Sequence, residues 1–313
     1  MKSRSIFKIF VSPLATVLLF ATIFFAACTK ADYGDDFKPS PPPPIGDYNS
    51  SNDVAKDAII AKWSFEGVLK DSIANIASTK DTAIGYATGR QGFGQAYQGK
   101  DGAYAVYGSP GAAILGLASY SISMWVKAGP TNTQARGILS INRQDDFWGN
   151  LDIYQENYGA DQTTMYFKVH MNNDNAPVWK GQFTETKIAN AIGKWVHVAI
   201  TYDGATSAYR IYANNQLQVI SSAGNQPTTT PTLHGDDPAT NPNAAYGPLK
   251  FLNANKMVIG TWQFQTNPSL TDGAGGQSWA GSFLGAIDEL RIFNRALTAK
   301  EVTALFKLEK LGL

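Results

Sequence analysis

Carboxylates, histidines and loop tryptophans are the side chains of this 313-residue chain that could do chemistry. Hydrolysis of a glycosidic bond needs two acids flanking that bond. Asp288 and Glu289 stand side by side in the segment GAIDELRIF, and neighbouring residues of a strand point to opposite faces. That pair cannot make one site. No Gly-x-Ser-x-Gly elbow and no His-Glu-x-x-His helix occurs. The histidines, His170, His197 and His234, have no metal-ligand spacing. Tryptophan offers more. Sugar rings present apolar C–H faces that stack on aromatic rings, while amides and carboxylates at the rim take hydroxyls. Four tryptophans lie in turn-rich segments: Trp148 in DDFWGN, Trp179 in MNNDNAPVW, Trp262 in GTWQFQ and Trp279 in GGQSWAG. These are the candidate carbohydrate-binding residues. Exposed aromatics equally mark protein interfaces, so a protein-binding adhesion or assembly role is the alternative.

Cys28 is the only cysteine. It closes an apolar run over residues 9–27, preceded by Lys2, Arg4 and Lys8. That order is the layout of an export signal. The closing Ala26-Ala27-Cys28 resembles the lipobox of bacterial lipoproteins, although Phe25 stands where an aliphatic residue is usual. The resemblance implies cleavage before Cys28 and lipid on Cys28 itself. A Pro-rich stretch follows, which suits a semi-extended spacer. Asp32, Asp35 and Asp36 resemble the surface-export signal of lipoproteins in the Bacteroides group. The expected organisation is a signal peptide over 1–27, a lipid-anchored tether over 28–57 and a folded domain over 58–313. The expected location is the outer membrane at the cell surface, with glycan-uptake proteins as possible partners.

Lys and Arg number 26 against 25 Asp and Glu. A nucleic-acid surface needs a basic excess, so that partner is not expected. Hydrophobic residues make up 44% of the chain, enough for a core that needs no disulfide. From residue 58 onward, short alternating runs are separated by Gly, Asn, Asp and Pro, which is the strand signal. In SISMWVKA, Ile122, Met124 and Val126 take one face and Ser121, Ser123, Trp125 and Lys127 the other. Val196, Val198 and Ile200 repeat the pattern, and His197 falls on the opposite face as a structural hydrogen-bonder. Residues 207–220 read as a hairpin around Asn214-Asn215. Further strands are predicted at 59–65, 103–107, 137–142, 150–156, 164–171, 256–262 and 284–293. One helix opens at Thr298, with Glu301 at capping-box spacing.

In this order, WSFEG (63–67), KDSIAN (70–75), GFGQAYQGKDGAYAVY (92–107), SISMWVKA, KWVHVAITYDG (194–204), YRIYANNQL (209–217) and GSFLGAIDELRIFNRALTAKEVTALF (281–306) resemble a laminin G-like domain of the concanavalin A-like lectin/glucanase group. The resemblance implies an all-β jelly-roll sandwich of two antiparallel sheets with a short C-terminal helix. Strand alternation sets Asp288 beside Ala286, Leu290 and Ile292, where a carboxylate requires a partner. Related jelly-roll domains often place such an acid on a structural Ca²⁺, and the resemblance implies Asp71, Asn75 and Asp288 as ligands. Laminarinase-like relatives carry an E-x-D-x-x-E string, which is missing here. The expected function is therefore carbohydrate binding without catalysis at the cell surface. A glycoside hydrolase or lyase with an unrecognised site is the third reading.

Overall fold

The alternating run around residues 121–128 forms the middle of a sheet, as its pattern requires. In chain order the strands are β1 (Ile59–Trp63), β2 (Lys80–Thr82), β3 (Gly85–Thr88), β4 (Gln95–Gln98), β5 (Tyr104–Tyr107), β6 (Tyr120–Ala128), β7 (Ala135–Ile141), β8 (Leu151–Glu156) and β9 (Met165–Asn172). They continue as β10 (Gly181–Ile188), β11 (Val196–Asp203), β12 (Ala208–Ala213), β13 (Gln216–Leu217), β14 (Ser221–Ser222), β15 (Met257–Ile259), β16 (Ala280–Ser282) and β17 (Gly285–Phe293). Two helices, α1 (Ala112–Leu115) and α2 (Ala299–Lys310), complete the elements used below. The computed structural model describes residues 44–131, 133–236 and 244–313, and Pro44–Leu313 is one compact unit. The signal peptide expected over 1–27 and the lipid site at Cys28 lie outside the described residues.

Two sheets make the sandwich. The first has the order β13-β12-β11-β6-β17-β4-β3, with β1 beside β17; the second runs β14-β10-β9-β8-β7-β15-β5-β2, with β16 beside β7. Neighbouring strands are antiparallel except β16, which lies parallel to β7. Ile122, Met124 and Val126 of the first sheet and Leu139, Ile153, Phe167 and Val169 of the second share one buried cluster. This is the all-β jelly-roll sandwich expected.

Local chemistry explains the junctions. Asn214 and Asn215 have φ of 46° and 65°, the left-handed pair that a tight hairpin needs and asparagine tolerates. Thr298 accepts from the Glu301 N–H while the Glu301 carboxylate accepts from the Thr298 N–H, so the capping box is complete. Strand β10, GQFTETKI, was not expected. Its inward positions are Gln182, Thr184 and Thr186, and a polar inner face hides the usual signal. Residues 45–57, expected in the tether, pack on the domain: Val54 and Ala55 are buried, and Ser51 and Asn52 bind Arg291.

The outward face of the first sheet is covered by α2. Ala199, Phe293, Val302, Leu305 and Leu308 form a separate apolar cluster there. Trp125 Nε1 donates to Glu309 Oε2 at 2.7 Å, and His197 Nε2 meets Ser123 Oγ at 2.8 Å. Burial depresses the His197 pKa to about 3 and keeps the ring neutral. Beneath the helix, Arg291 Nε donates to Glu309 Oε1 at 2.9 Å and its Nη2 to Glu289 Oε2 at 2.7 Å.

Simple alternation fails in β17. The register with β6 shifts between Asp288 and Arg291, and Glu289 takes φ 48°. One extra residue in a bulge reverses which side chains face inward. Ile287, Leu290 and Ile292 join the core, while Asp288 does not share a face with Leu290 and Ile292. Asp288 instead accepts from the Arg90 N–H at 2.9 Å, with the Arg90 guanidinium 3.6 Å away. Its Oδ1 has no partner among the described residues. Burial pushes this carboxyl up to about 7, against the pull of Arg90.

Two outcomes are expected. Glu309→Ala leaves Arg291 buried without its main counter-charge and costs about 3–5 kcal/mol in urea denaturation, whereas the double change Arg291→Met with Glu309→Leu recovers much of that. Asp288 carries a raised pKa in the folded state, so its contribution to stability is whole below about pH 4 and is lost as pH rises through about 7. Asp288→Asn should therefore raise the melting temperature at pH 8 and leave it near wild type at pH 4; equal shifts at both values would exclude this account.

Candidate functional site

Among the described residues no α-helix covers the outward face of the second sheet. Alternation there sends Phe167, Val169 and Met171 of β9 into the core, and Lys168 and His170 outward. Phe183 on β10 and Tyr154 on β8 point to the same side, where Trp148, Trp262 and Trp279 converge. Trp148 lies 5.8 Å from Trp262 and 6.1 Å from Trp279, centroid to centroid, and 5.2 Å from Phe183. Phe147 stacks on Phe264 at 4.3 Å, and Tyr154 meets Trp262 at 4.4 Å. The result is an aromatic platform with a wet side and a dry side. Trp279 is 40% exposed and Phe183 39%, whereas Trp262 is 1% and Phe264 0%.

Two glutamines, Gln263 buried and Gln265 half-buried, hold the loops that build the platform. Gln263 accepts from the Arg143 N–H at 2.7 Å and donates to the carbonyls of Asp146 and Phe147 at 2.9 and 2.8 Å. That fixes the loop carrying Phe147 and Trp148. Two residues on, Gln265 donates to the Gln277 carbonyl at 3.1 Å and to the Ala280 carbonyl, fixing the loop that carries Trp279. Phe264 sits between the two glutamines and stacks on Trp262 at 5.4 Å. Gly137 makes room beneath: a Cβ there would stand 2.9 Å from Trp262 Cδ1 and 2.7 Å from the Thr261 carbonyl carbon.

The loop that carries Phe147 and Trp148 also lines a polar pocket through Gln144 and Asp145, together with Asn253, Asn255 and Asp272. Arg143 reaches Asp145 at 3.3 Å and Asp146 at 3.8 Å. Hydrogen bonding from Asn253 and the charge of Arg143 draw the Asp145 carboxyl below its ordinary value, outweighing its slight burial. Under Trp148, His170 is 1% exposed, and its Nδ1 meets Asp152 Oδ2 at 3.2 Å.

Trp148 and Trp279 thus stand where a ligand can touch them. Trp262 belongs to the same cluster but supports it from below. Trp179 is half-buried elsewhere, its N–H on the Gly235 carbonyl at 2.8 Å, and no ring contact among the described residues joins it to the platform. Sequence reasoning missed Phe147, Phe183, His170 and Asp152. The outward alternation of β9 could have found His170; the others needed the sheet order.

The residues named for Ca²⁺ do not fit it. Asp71 is buried and accepts from the N–H groups of Lys62, Ile73 and Ala74 at 2.9, 2.8 and 3.2 Å, closing a turn. Asn75 is exposed in a left-handed turn with φ 61°. Asp288 faces Arg90, so a cation beside it would meet an existing positive charge. The carboxylates of Asp71 and Asp288 share no partner, and among the described residues no group of three His, Cys, Asp or Glu is placed to hold a metal ion.

Residues 98–253 match a family model described as the concanavalin A-like lectin/glucanases superfamily. No curated protein matches the chain. Among solved structures, the binding domain of Paraclostridial mosquitocidal protein 1 aligns over 80% of this chain and 52% of its own length, at 14% identity and a TM-score of 0.52. A structure of botulinum neurotoxin type C, whose cell entry depends on interaction with two ganglioside molecules, covers 82% of this chain and 52% of its own, at 12% identity and a TM-score of 0.52. Domain 4 of a Geobacillus stearothermophilus arabinanase, in complex with arabinotriose, covers 79% of this chain and 98% of its own, at 20% identity and a TM-score of 0.48. The described chain has the fold of a concanavalin A-like domain, and residues 98–253 carry the sequence pattern of that superfamily.

Proposed function

We propose that this protein binds carbohydrate, without catalysis, through the aromatic platform on the outward face of its second sheet. The convergence of Trp148 and Trp279, with the Trp148 loop also lining a pocket of amides and carboxylates, is the observation that carries this reading. Flat rings supply the apolar contact that sugar C–H faces seek, and the rim supplies hydrogen bonds. The two clamped loops add rigidity, so little ordering cost is added on binding. Cell entry of the type C neurotoxin depends on interaction with two ganglioside molecules, and 52% of that chain aligns with this fold. The N-terminal apolar run and Cys28 support a lipid anchor, which would hold the platform at the outer membrane surface, beside glycan-uptake proteins.

Affinity electrophoresis through polysaccharide gels tests the platform. Retardation of the Pro44–Leu313 unit by at least one polysaccharide is expected, and Trp279→Ala, which removes the exposed ring, should weaken it strongly with little change in melting temperature. Trp262→Ala should behave differently, destabilising the fold by about 3–5 kcal/mol because it empties a buried site. Polysaccharide shortened during the assay, with new reducing ends, would overturn the non-catalytic reading. For the anchor, Cys28→Ser in the full chain should abolish incorporation of labelled fatty acid; incorporation that persists in the variant would rule Cys28 out.

A further inference from the structure

The groups that face the platform differ sharply in what they have left to offer. Donors near it are mostly engaged within the protein. Lys168 is held between Glu156 and Glu185 at 3.3 and 3.2 Å, and Arg143 by Asp145 and Asp146. The side-chain amide of Asn172 donates to the Gly149 carbonyl at 3.2 Å, and that of Gln144 to the Asp272 carboxylate at 3.4 Å. The indole N–H groups of Trp148, half-buried, and Trp279, exposed, add donors.

Acceptors keep capacity to spare. A carboxylate has about four lone-pair sites, so Asp145 and Asp272 can take further donors beside Arg143 and Gln144. His170 adds a buried acceptor. Asp152 takes the Ser140 hydroxyl at 2.6 Å on Oδ1 and the Gly149 N–H at 2.8 Å on Oδ2, so it faces His170 Nδ1 as an acceptor. In the neutral ring this places the proton on Nδ1 and leaves Nε2 to accept. No hydrogen-bond partner of Nε2 occurs among the described residues. Gly181 keeps the approach clear: a Cβ there would stand 3.2 Å from Nε2 and 3.4 Å from Asn172 Oδ1. The ring itself lies 5.2 Å from Trp148 and 4.6 Å from Phe183, within the platform.

Resting on the carbohydrate reading above, we infer that the site takes a neutral, hydroxyl-bearing polysaccharide and rejects sulfated or uronic ones, with His170 Nε2 accepting a ligand hydroxyl. Hydroxyls donate to open acceptors. Sulfate and carboxylate groups have only acceptors to present, and they would meet Asp145 and Asp272 as like charges. The selection comes from the polar rim and not from the rings, since stacking is indifferent to the substituents of a sugar.

An array carrying neutral oligosaccharides beside their sulfated and uronic counterparts tests this with the Pro44–Leu313 unit. Binding to a neutral member and a loss of about tenfold or more on its anionic counterpart is expected, as one lost hydrogen bond plus repulsion implies. Gly181→Ala, which leaves both tryptophans in place, should weaken the neutral ligand by about tenfold at unchanged melting temperature. Asp145→Asn with Asp272→Asn, both at the surface, should narrow the gap between neutral and anionic forms. Equal or tighter binding of the anionic forms overturns the inference and leaves carbohydrate binding standing. Full affinity in Gly181→Ala overturns the role of His170. No binding to any member overturns the carbohydrate reading and this inference with it.

Discussion

Arg291 lies wholly inside the protein, and the seating of the C-terminal helix on the first sheet depends on it. Its guanidinium reaches the Glu309 carboxylate of α2, the Glu289 carboxylate of its own strand, and Ser51 and Asn52 of the N-terminal segment. A rigid fork of donors suits this role better than a flexible ammonium would. Three pieces of chain far apart in sequence are thereby tied to one side chain. The desolvation of so many charges is costly, so the network specifies an arrangement more than it adds stability.

That arrangement decides where function can sit. Sealing the first sheet under α2 leaves its outward face closed, with Trp125 and His197 occupied by the helix and its neighbours. Among the described residues the second sheet carries no such cover. Its outward aromatics run from buried Trp262 and Phe264 to exposed Trp279 and Phe183, and loops hold them in place. Gln263 and Gln265 do for these loops what Arg291 does for the helix: each satisfies backbone groups of another segment. One sheet is fixed by charge, the other by amides. Amides leave the surrounding field to the rim carboxylates, which is why the rim can discriminate between ligands.

Most of the fold was legible because its signals are local. The alternation of residues 121–128 and 196–200, the Asn214-Asn215 turn and the Thr298–Glu301 capping box each need only a few neighbours in the chain. What stayed hidden needs distant partners. The bulge at Glu289 is a single residue in the left-handed region, and nothing in GAIDELRIF marks it, yet it reverses the face of every residue after Asp288. Strand β10 escaped because its buried face carries Gln182, Thr184 and Thr186; Thr184 donates to the Val169 carbonyl of β9 and Gln182 to the Trp179 carbonyl. The packing of residues 45–57 was hidden by prolines just before them. The tryptophans were visible one by one, but their meeting depends on β15 and β16 both lying against β7.

Trp262 shows how position overrides type. Its segment reads as loop, and its side chain is the kind that stacks on sugars. Gly137, however, lets it sink onto β7, and Tyr154 closes over it. The indole N–H is left without a partner among the described residues, a cost of about 1–3 kcal/mol. Such a cost persists only where packing around the ring outweighs it, and here Trp148, Phe264 and Trp279 all lean on that ring. The buried tryptophan supports both Trp148 and Trp279, which meet at 6.1 Å with their planes 45° apart. Recognition by Trp148 and Trp279 therefore rests on a residue that no ligand touches, and on the absence of a side chain at Gly137.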